Sequence, residues 1–148
     1  MTGFYAVSRN ICDFVCYKYP NQYYIESKST WKDRFDFSML SDVQYHGLLD
    51  KSKIQGCHGL VIVLFATYKR AFIIDIRCID YLKSIKNKKS LNISKIDSWK
   101  IPYIEISTIP SKKQLLNYRG DLQSYVNELE SQIEELFKKL NLNKETMS

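Results

Sequence analysis

The chain has 148 residues, of which 45% are hydrophobic and 26% charged, and its formal net charge is +6. This balance is that of a folded domain, and it excludes a disordered chain, which needs low hydrophobicity together with high net charge. No apolar run approaches the roughly 20 residues that span a bilayer, and no signal peptide is visible. We therefore expect a cytoplasmic protein without membrane contact. Its excess of basic residues makes a polyanion a candidate partner.

The first half of the chain is predicted to begin with a β-hairpin. Its strands cover residues 5–17 and 23–27, and the turn signal Tyr19-Pro20-Asn21-Gln22 joins them. Residues 28–37 are mostly polar and are predicted to form a loop over the sheet. A helix over residues 42–54 follows, with Ser41 as its N-cap, because Tyr45, Leu48 and Leu49 form a short apolar stripe at helical spacing.

The second half of the predicted domain contains another pair of strands. Residues 59–68 and 71–77 form a second hairpin, and residues 79–85 form a short helix. Residues 87–98 are a lysine-rich loop or short element, and residues 103–106 form a last strand. Because a helix joins the two strand pairs, the sequence predicts an α/β fold with a mixed sheet flanked by helices.

The C-terminal tail carries a different pattern. Six apolar residues are spaced 4, 3, 4, 3 and 4 apart, namely Leu122, Val126, Leu129, Ile133, Leu136 and Leu140. This seam predicts a long helix over residues 121–140, packed either on its own domain or on a partner tail in a dimer. The carboxylates in its middle would repel phosphates, so the tail should face away from a polyanionic partner. We therefore divide the chain into a domain at residues 1–118 and a tail helix at residues 119–148.

The four cysteines do not define a metal site by their spacing. Cys12, Cys16, Cys57 and Cys78 lack the paired Cys-x2-Cys spacing of zinc ribbons. Free thiols in a reducing cytoplasm are the interpretation we favour, and a zinc site is the alternative.

Two carboxylates and a lysine in the first hairpin are the candidate chemical groups. Glu26 and Lys28 lie two apart on a strand and share a face, and hairpin pairing can place Asp13 beside Glu26. Such carboxylates, expected to be surface-facing at the sheet edge, would suit Mg²⁺ or Mn²⁺. Exposed charges that neutralise one another are the alternative reading of this spacing.

The surrounding residues resemble a known nuclease family. Cys12-Asp13-Phe14-Val15, followed after a turn by Tyr24-Ile25-Glu26-Ser27-Lys28, resembles the PD-(D/E)xK nuclease core. Next come Phe35-x-Phe37, a helix that carries Gln44, and an apolar strand that begins at Gly59. This order is similar to that of the RecU-type Holliday junction resolvases, in which an F-x-L motif occupies the position of Phe35-x-Phe37.

The resemblance implies a restriction-endonuclease-like fold and a role for each matching residue. Asp13 and Glu26 would be ligands of Mg²⁺ or Mn²⁺, and Ser27 would lend its backbone carbonyl. Lys28 would be the catalytic lysine, and Gln44 would lie beside the metal or the scissile phosphate. The implied activity is that of a metal-dependent endodeoxyribonuclease that resolves Holliday junctions as a homodimer.

A lysine cluster supports DNA as the partner. Lys83, Lys86, Lys88 and Lys89 are expected to project from one edge of the sheet and to contact phosphates. A solvated loop is the simpler reading of these lysines. Two other functions also remain open, namely a restriction-like or repair nuclease with the same core and a DNA-binding module that has lost catalysis.

Overall fold

A five-stranded mixed sheet forms the centre of the molecule. The structure is a computed structural model that describes residues 10–106, 129–135 and 138. The strands of this sheet lie in the order β1-β2-β4-β5-β7. They span Phe14–Lys18 (β1), Asn21–Thr30 (β2), Cys57–Phe65 (β4), Arg70–Asp75 (β5) and Ile104–Ile106 (β7). Only β2 and β4 pair in parallel, and the other neighbours are antiparallel.

Two helices and a small second sheet complete the described fold. Helix α1 spans Asp42–Ser52 and α2 spans Ile76–Ser84, while Arg34–Asp36 (β3) and Ser90–Asn92 (β6) form a two-stranded antiparallel sheet. Short 3₁₀ helices cover Phe37–Met39, Ala66–Tyr68 and Ile93–Ser98. The α/β class and the mixed sheet flanked by helices are thus confirmed. Within the described residues, no helix has both the length and the apolar character needed to cross a membrane.

Helix α1 lies against one face of the sheet because β4 has a glycine where the two elements meet. A Cβ atom at Gly59 would lie 2.7 Å from the carbonyl oxygen of Leu48, which is fully buried on α1. Any larger residue would push the helix away from the strand. Lys51 of α1 places its Nζ atom 5.2 Å from the ring centre of Tyr24 on β2. Residues of β2 that alternate with Tyr24 therefore share the face that α1 covers.

The helical residues 129–135 lie on the opposite face. Tyr23 and His58 stack there with ring centres 5.1 Å apart, and His58 Nε2 lies 2.8 Å from Glu130 Oε1. Leu129 and Ile133 are fully buried in the core of the domain. These two seam residues therefore pack on their own domain. The other four residues of the predicted seam, and the remaining bounds of the predicted tail helix, lie outside the described residues.

Two sequence-based expectations about the strands were wrong. β1 begins at Phe14, so the predicted first strand is shorter within the described residues, and residues 5–9 lie outside them. The predicted loop over residues 28–37 contains the end of β2 and all of β3. Residues 87–98, which were predicted to form a lysine-rich loop or a short element, contain the short strand β6. The end of β2 pairs with β4, and β3 pairs with β6, and a local polar pattern does not reveal pairing with a distant strand.

Candidate active site

Asp13 lies alongside the middle of β2, directly before β1 begins. Its backbone N–H donates to the carbonyl of Ile25 at 3.0 Å, and its Oδ2 accepts a hydrogen bond from the backbone N–H of Ser27 at 2.9 Å. Asp13 thus contacts the residues on both sides of Glu26. The structure thus places Asp13 beside Glu26 through hairpin pairing, as the sequence predicted.

Glu26 is buried, which corrects the expectation that it faces the surface at the edge of the sheet. It is only 2% exposed, because β2 is an internal strand with β1 and β4 on either side and α1 above this face. Its Oε1 accepts a hydrogen bond from Gln44 Nε2 at 2.8 Å and lies 3.2 Å from Lys28 Nζ. Its Oε2 is also buried and has no hydrogen-bond partner among the described residues. A buried carboxylate oxygen without a partner is costly, so this atom marks a position where a cation would be stabilised.

The N-terminal turn of α1 orients Gln44. Ser41 and Gln44 form a capping box, in which Ser41 Oγ accepts from the N–H of Gln44 at 3.2 Å and Gln44 Oε1 accepts from the N–H of Ser41 at 3.0 Å. Because the amide oxygen of Gln44 is held at the cap, its NH₂ group is the part that points to Glu26. The sequence predicted both Ser41 as the N-cap and Gln44 as a site residue. The structure shows that the capping box also directs the amide group of Gln44 to Glu26.

Lys28 lies on the same face as Glu26, as the spacing of two along a strand predicts. Its side chain is 20% exposed, so the ammonium group is partly shielded but still reaches solvent. A cation in this position can contact an incoming phosphate while it stays paired with Glu26 Oε1.

The residues present fit a hard divalent cation. Mg²⁺ is commonly held by one or two carboxylates and keeps several water ligands. Asp13 and Glu26 supply two carboxylates, and a cation would stabilise the buried Oε2 of Glu26, which has no hydrogen-bond partner within the described part of the chain. Across the described part of the chain, no three His, Cys, Asp or Glu side chains cluster as metal ligands. The backbone carbonyl of Ser27 and water would complete the shell.

Cys12 is a neighbour of these carboxylates that the sequence did not assign to the site. Burial raises the pKa of its thiol, and the negative charges of Glu26 and Asp13 raise it further, while backbone hydrogen bonds act in the opposite direction. The raised pKa favours the neutral thiol, which adds no charge beside the two carboxylates. Its position next to Asp13 in the sequence was the available signal.

Gly47 on α1 leaves room for Ile11, which lies in the segment that carries Asp13. A Cβ atom at position 47 would lie 2.7 Å from the Cβ atom of Ile11, which is too close for two carbon atoms. Ile11 therefore packs directly on the helix backbone, two residues before Asp13. Glycine inside a helix costs about 1 kcal/mol relative to alanine, and this contact gives it a structural reason.

For the nuclease that the sequence resemblance implies, Gly47→Ala is expected to lower cleavage by more than its small loss of stability would explain. The added methyl group must displace Ile11 at a cost of about 1–3 kcal/mol, and the better helix propensity offsets about 1 kcal/mol of that. Thermal melting and a cleavage assay would measure the two effects. The double variant Gly47→Ala/Ile11→Ala, which removes the clash, should regain activity. Full activity in Gly47→Ala alone would show that Ile11 does not position Asp13.

Three of the four predicted DNA-binding lysines line a groove on the α1–α2 side of the molecule. The groove has a volume of about 530 Å³, and its lining residues are Asp36, Phe37, Ser38, Lys83, Asn87, Lys88 and Lys89. Lys83 Nζ lies 4.3 Å from the ring centre of Tyr45, the residue that follows Gln44 on α1. Lys86 points elsewhere, with its Nζ 5.9 Å from the ring centre of Tyr81.

A hydrogen bond joins α1 to α2 beside Lys83, one of the lysines that line the groove. The hydroxyl of Tyr45 donates to Asp80 Oδ1, and Ser84 Oγ donates to the same oxygen at 3.1 Å. Burial and the bond to Asp80 raise the pKa of Tyr45, so its hydroxyl stays protonated as the donor. Lys83, which lines the groove, thus contacts the residue that follows Gln44 on α1, and Gln44 contacts Glu26.

The protein has a mixed α/β sheet, and two acidic residues, a lysine and a glutamine are gathered around β2. This α/β class of protein is the one that the sequence predicted. Comparison with protein families gives the family itself: the sequence model described as Recombination protein U matches residues 3–120. The chain belongs to this family, whose members act in DNA recombination as Holliday junction resolvases. No curated protein matches the chain.

Proposed function

We propose that this protein is a metal-dependent endonuclease that cuts four-way DNA junctions. The observation that carries the proposal is the carboxylate of Glu26, whose Oε1 is held by Gln44 and Lys28 while its buried Oε2 has no partner among the described residues. An acidic group fixed in this way and left unsatisfied on one oxygen suits a cation site. The family match supports DNA junctions as the substrate.

Each residue of the site has a distinct role in phosphodiester cleavage. Asp13, Glu26 and the carbonyl of Ser27 would hold Mg²⁺ or Mn²⁺, which when bound polarises a phosphoryl oxygen and lowers the pKa of water. Gln44 holds the carboxylate of Glu26 in one orientation. Lys28 keeps its proton on Nζ and places a positive charge where negative charge develops on the phosphate in the transition state.

A homodimer is part of the proposal because of the substrate. Resolving a four-way junction requires two cuts on strands related by symmetry, and a two-fold dimer supplies two sites in matching positions. One active site per protomer is enough for this arrangement.

Cleavage of a four-way junction beside a linear duplex of the same length tests the proposal directly. We expect symmetric incisions in the junction with Mg²⁺ or Mn²⁺, little cleavage of the duplex, and none of either in EDTA. Equal cleavage of both substrates would indicate a restriction-like or repair nuclease. Junction binding without any cleavage would indicate a module that has lost catalysis, and either result would overturn the proposal.

The lysine groove is proposed as a path for the DNA backbone. Lys83, Lys88 and Lys89 are exposed and line one groove beside the N-terminal half of α1, so they can contact successive phosphates. Lys86 is on the same segment and adds positive charge outside the groove lining. The catalytic residues around β2 and this groove flank the first turns of the same helix.

Replacing the three groove lysines by alanine should weaken binding to junction and duplex alike. The slope of log affinity against log salt should flatten by roughly 0.9 for each phosphate that the protein no longer neutralises. The matched control removes the same charge at three exposed positions elsewhere, Lys18, Lys53 and Lys95. Equally weakened binding in the two triple variants would show that only net charge matters and that the groove is not a binding path.

A further inference from the structure

Two exposed aromatic side chains lie beyond the end of β2, close to the candidate active site. Trp31 directly follows β2 and is 78% exposed, and Tyr68, in the turn after β4, is 47% exposed. Trp31 is three residues from Lys28, which at the rise of an extended strand is roughly 10 Å. An indole this exposed gives up the stabilisation that burial would provide. The exposure of Trp31 is therefore better explained by a binding role than by folding.

The backbone that presents Trp31 is held in place. Thr67 Oγ1 donates to the carbonyl of Trp31 at 2.7 Å, which ties the end of β2 to the turn that carries Tyr68. The N–H of Lys32 donates to Thr30 Oγ1 at 3.1 Å, and Thr30 itself is buried. The indole is therefore exposed on an anchored backbone.

The charge around these two rings favours a nucleic acid. Lys32 and Lys69 are exposed and follow Trp31 and Tyr68 directly in the chain. Aromatic rings next to cations are the chemistry that binds unpaired bases, because a base stacks on the ring while the cation meets the backbone phosphate. A paired base inside a duplex offers no free face to a ring, whereas a base at a branch point can.

We propose that Trp31 and Tyr68, with Lys32 and Lys69, form a platform that stacks an unpaired base at the branch point of a DNA junction. The proposal rests on the proposed function and adds how the site would distinguish a junction from a duplex. The short distance from Lys28 places the stacked base about one or two nucleotides from the phosphate that would be cut.

Binding measured in EDTA, where cleavage cannot occur, tests the platform. One base stack is worth about 1–3 kcal/mol, so Trp31→Ala should weaken junction binding by roughly tenfold and leave duplex binding unchanged. Trp31→Phe keeps a ring and should retain most of the affinity. Tyr19→Ala is the matched control, since Tyr19 is 84% exposed at the opposite end of β2 and its removal should change neither affinity.

Fluorescence gives a second readout that needs no catalysis. The chain has two tryptophans, and Trp99 is only 5% exposed, so quenching of the solvent-exposed emission reports on Trp31. We expect quenching by a junction and not by a duplex, and none in Trp31→Phe. An equal decrease of junction and duplex affinity in Trp31→Ala, or the same decrease in Tyr19→Ala, would overturn the platform.

Failure of the platform and failure of the proposed function give different results. A protein that binds junctions through Trp31 but cuts no DNA would refute the nuclease and leave the platform standing. A protein that cuts junctions with Mg²⁺, while Trp31→Ala binds them as well as the wild type, would refute the platform alone.

Discussion

Asp13→Asn is expected to lower junction cleavage by roughly 10³-fold or more and to leave the fold intact. The substitution removes one of the two carboxylates that can neutralise a divalent cation, and removal of a single preorganised charge-stabilising group already costs about 10²–10³-fold. Asp13 is exposed, and an asparagine oxygen can still accept the hydrogen bond from the N–H of Ser27. The melting temperature should therefore change little.

Cleavage rate as a function of Mg²⁺ concentration, measured beside thermal melting, checks this expectation. Asp97→Asn is a matched control, because it removes one exposed carboxylate from a different part of the surface. Wild-type turnover in Asp13→Asn would show that Asp13 is not part of the active site. Reduced turnover in the Asp97 variant would show that the effect is one of overall charge.

Glu26 requires a different design because it is buried. Glu26→Ala would leave Lys28 and Gln44 without their shared partner inside the protein, so lower activity could not be separated from lower stability. Glu26→Gln keeps the size of the side chain and an acceptor oxygen. It removes only the charge, so cleavage should be abolished in a protein that still folds.

Lys28→Ala is expected to lower the cleavage rate by roughly 10²–10³-fold while junction binding is largely retained. The positive charge that is removed acts on the transition state, whereas a single phosphate contact is a small part of the electrostatic footprint on DNA. The variant should also be less stable than the wild type, because Glu26 Oε1 loses the ammonium group of Lys28, which lies 3.2 Å from it in the wild type.

Single-turnover cleavage and junction binding in EDTA separate these two effects. Lys95→Ala is the control for catalysis, because Lys95 is an exposed lysine that belongs neither to the candidate site, nor to the groove lining, nor to the proposed platform. If cleavage and binding fell together in Lys28→Ala, Lys28 would be a DNA anchor and would have no catalytic role.

Much of the candidate site could be predicted from local sequence. Glu26 and Lys28 share a face because strand residues two apart always do, and Ser41 caps α1 because a hydroxyl there satisfies free N–H groups of the first helical turn. The turn at residues 19–22 brings Asp13 back to Glu26. Each of these features depends on residues close in the chain, so the sequence was sufficient for them. The roles of the residues, in contrast, came from the family resemblance and stay predictions.

Tertiary structure decided what local sequence could not. The burial of Glu26 depends on β4 and α1 covering it, and the parallel pairing of β2 with β4 joins residues that lie about 35 positions apart in the chain. β3 was missed, and β6 was predicted only as a loop or short element, because a three-residue strand is defined by its distant partner and not by its own composition. The contact of Gly47 with Ile11 and the exposure of Trp31 likewise depend on which surfaces meet in space. The sequence by itself determined the chemical groups and their local geometry, and packing decided which of them are buried, held in place or left exposed.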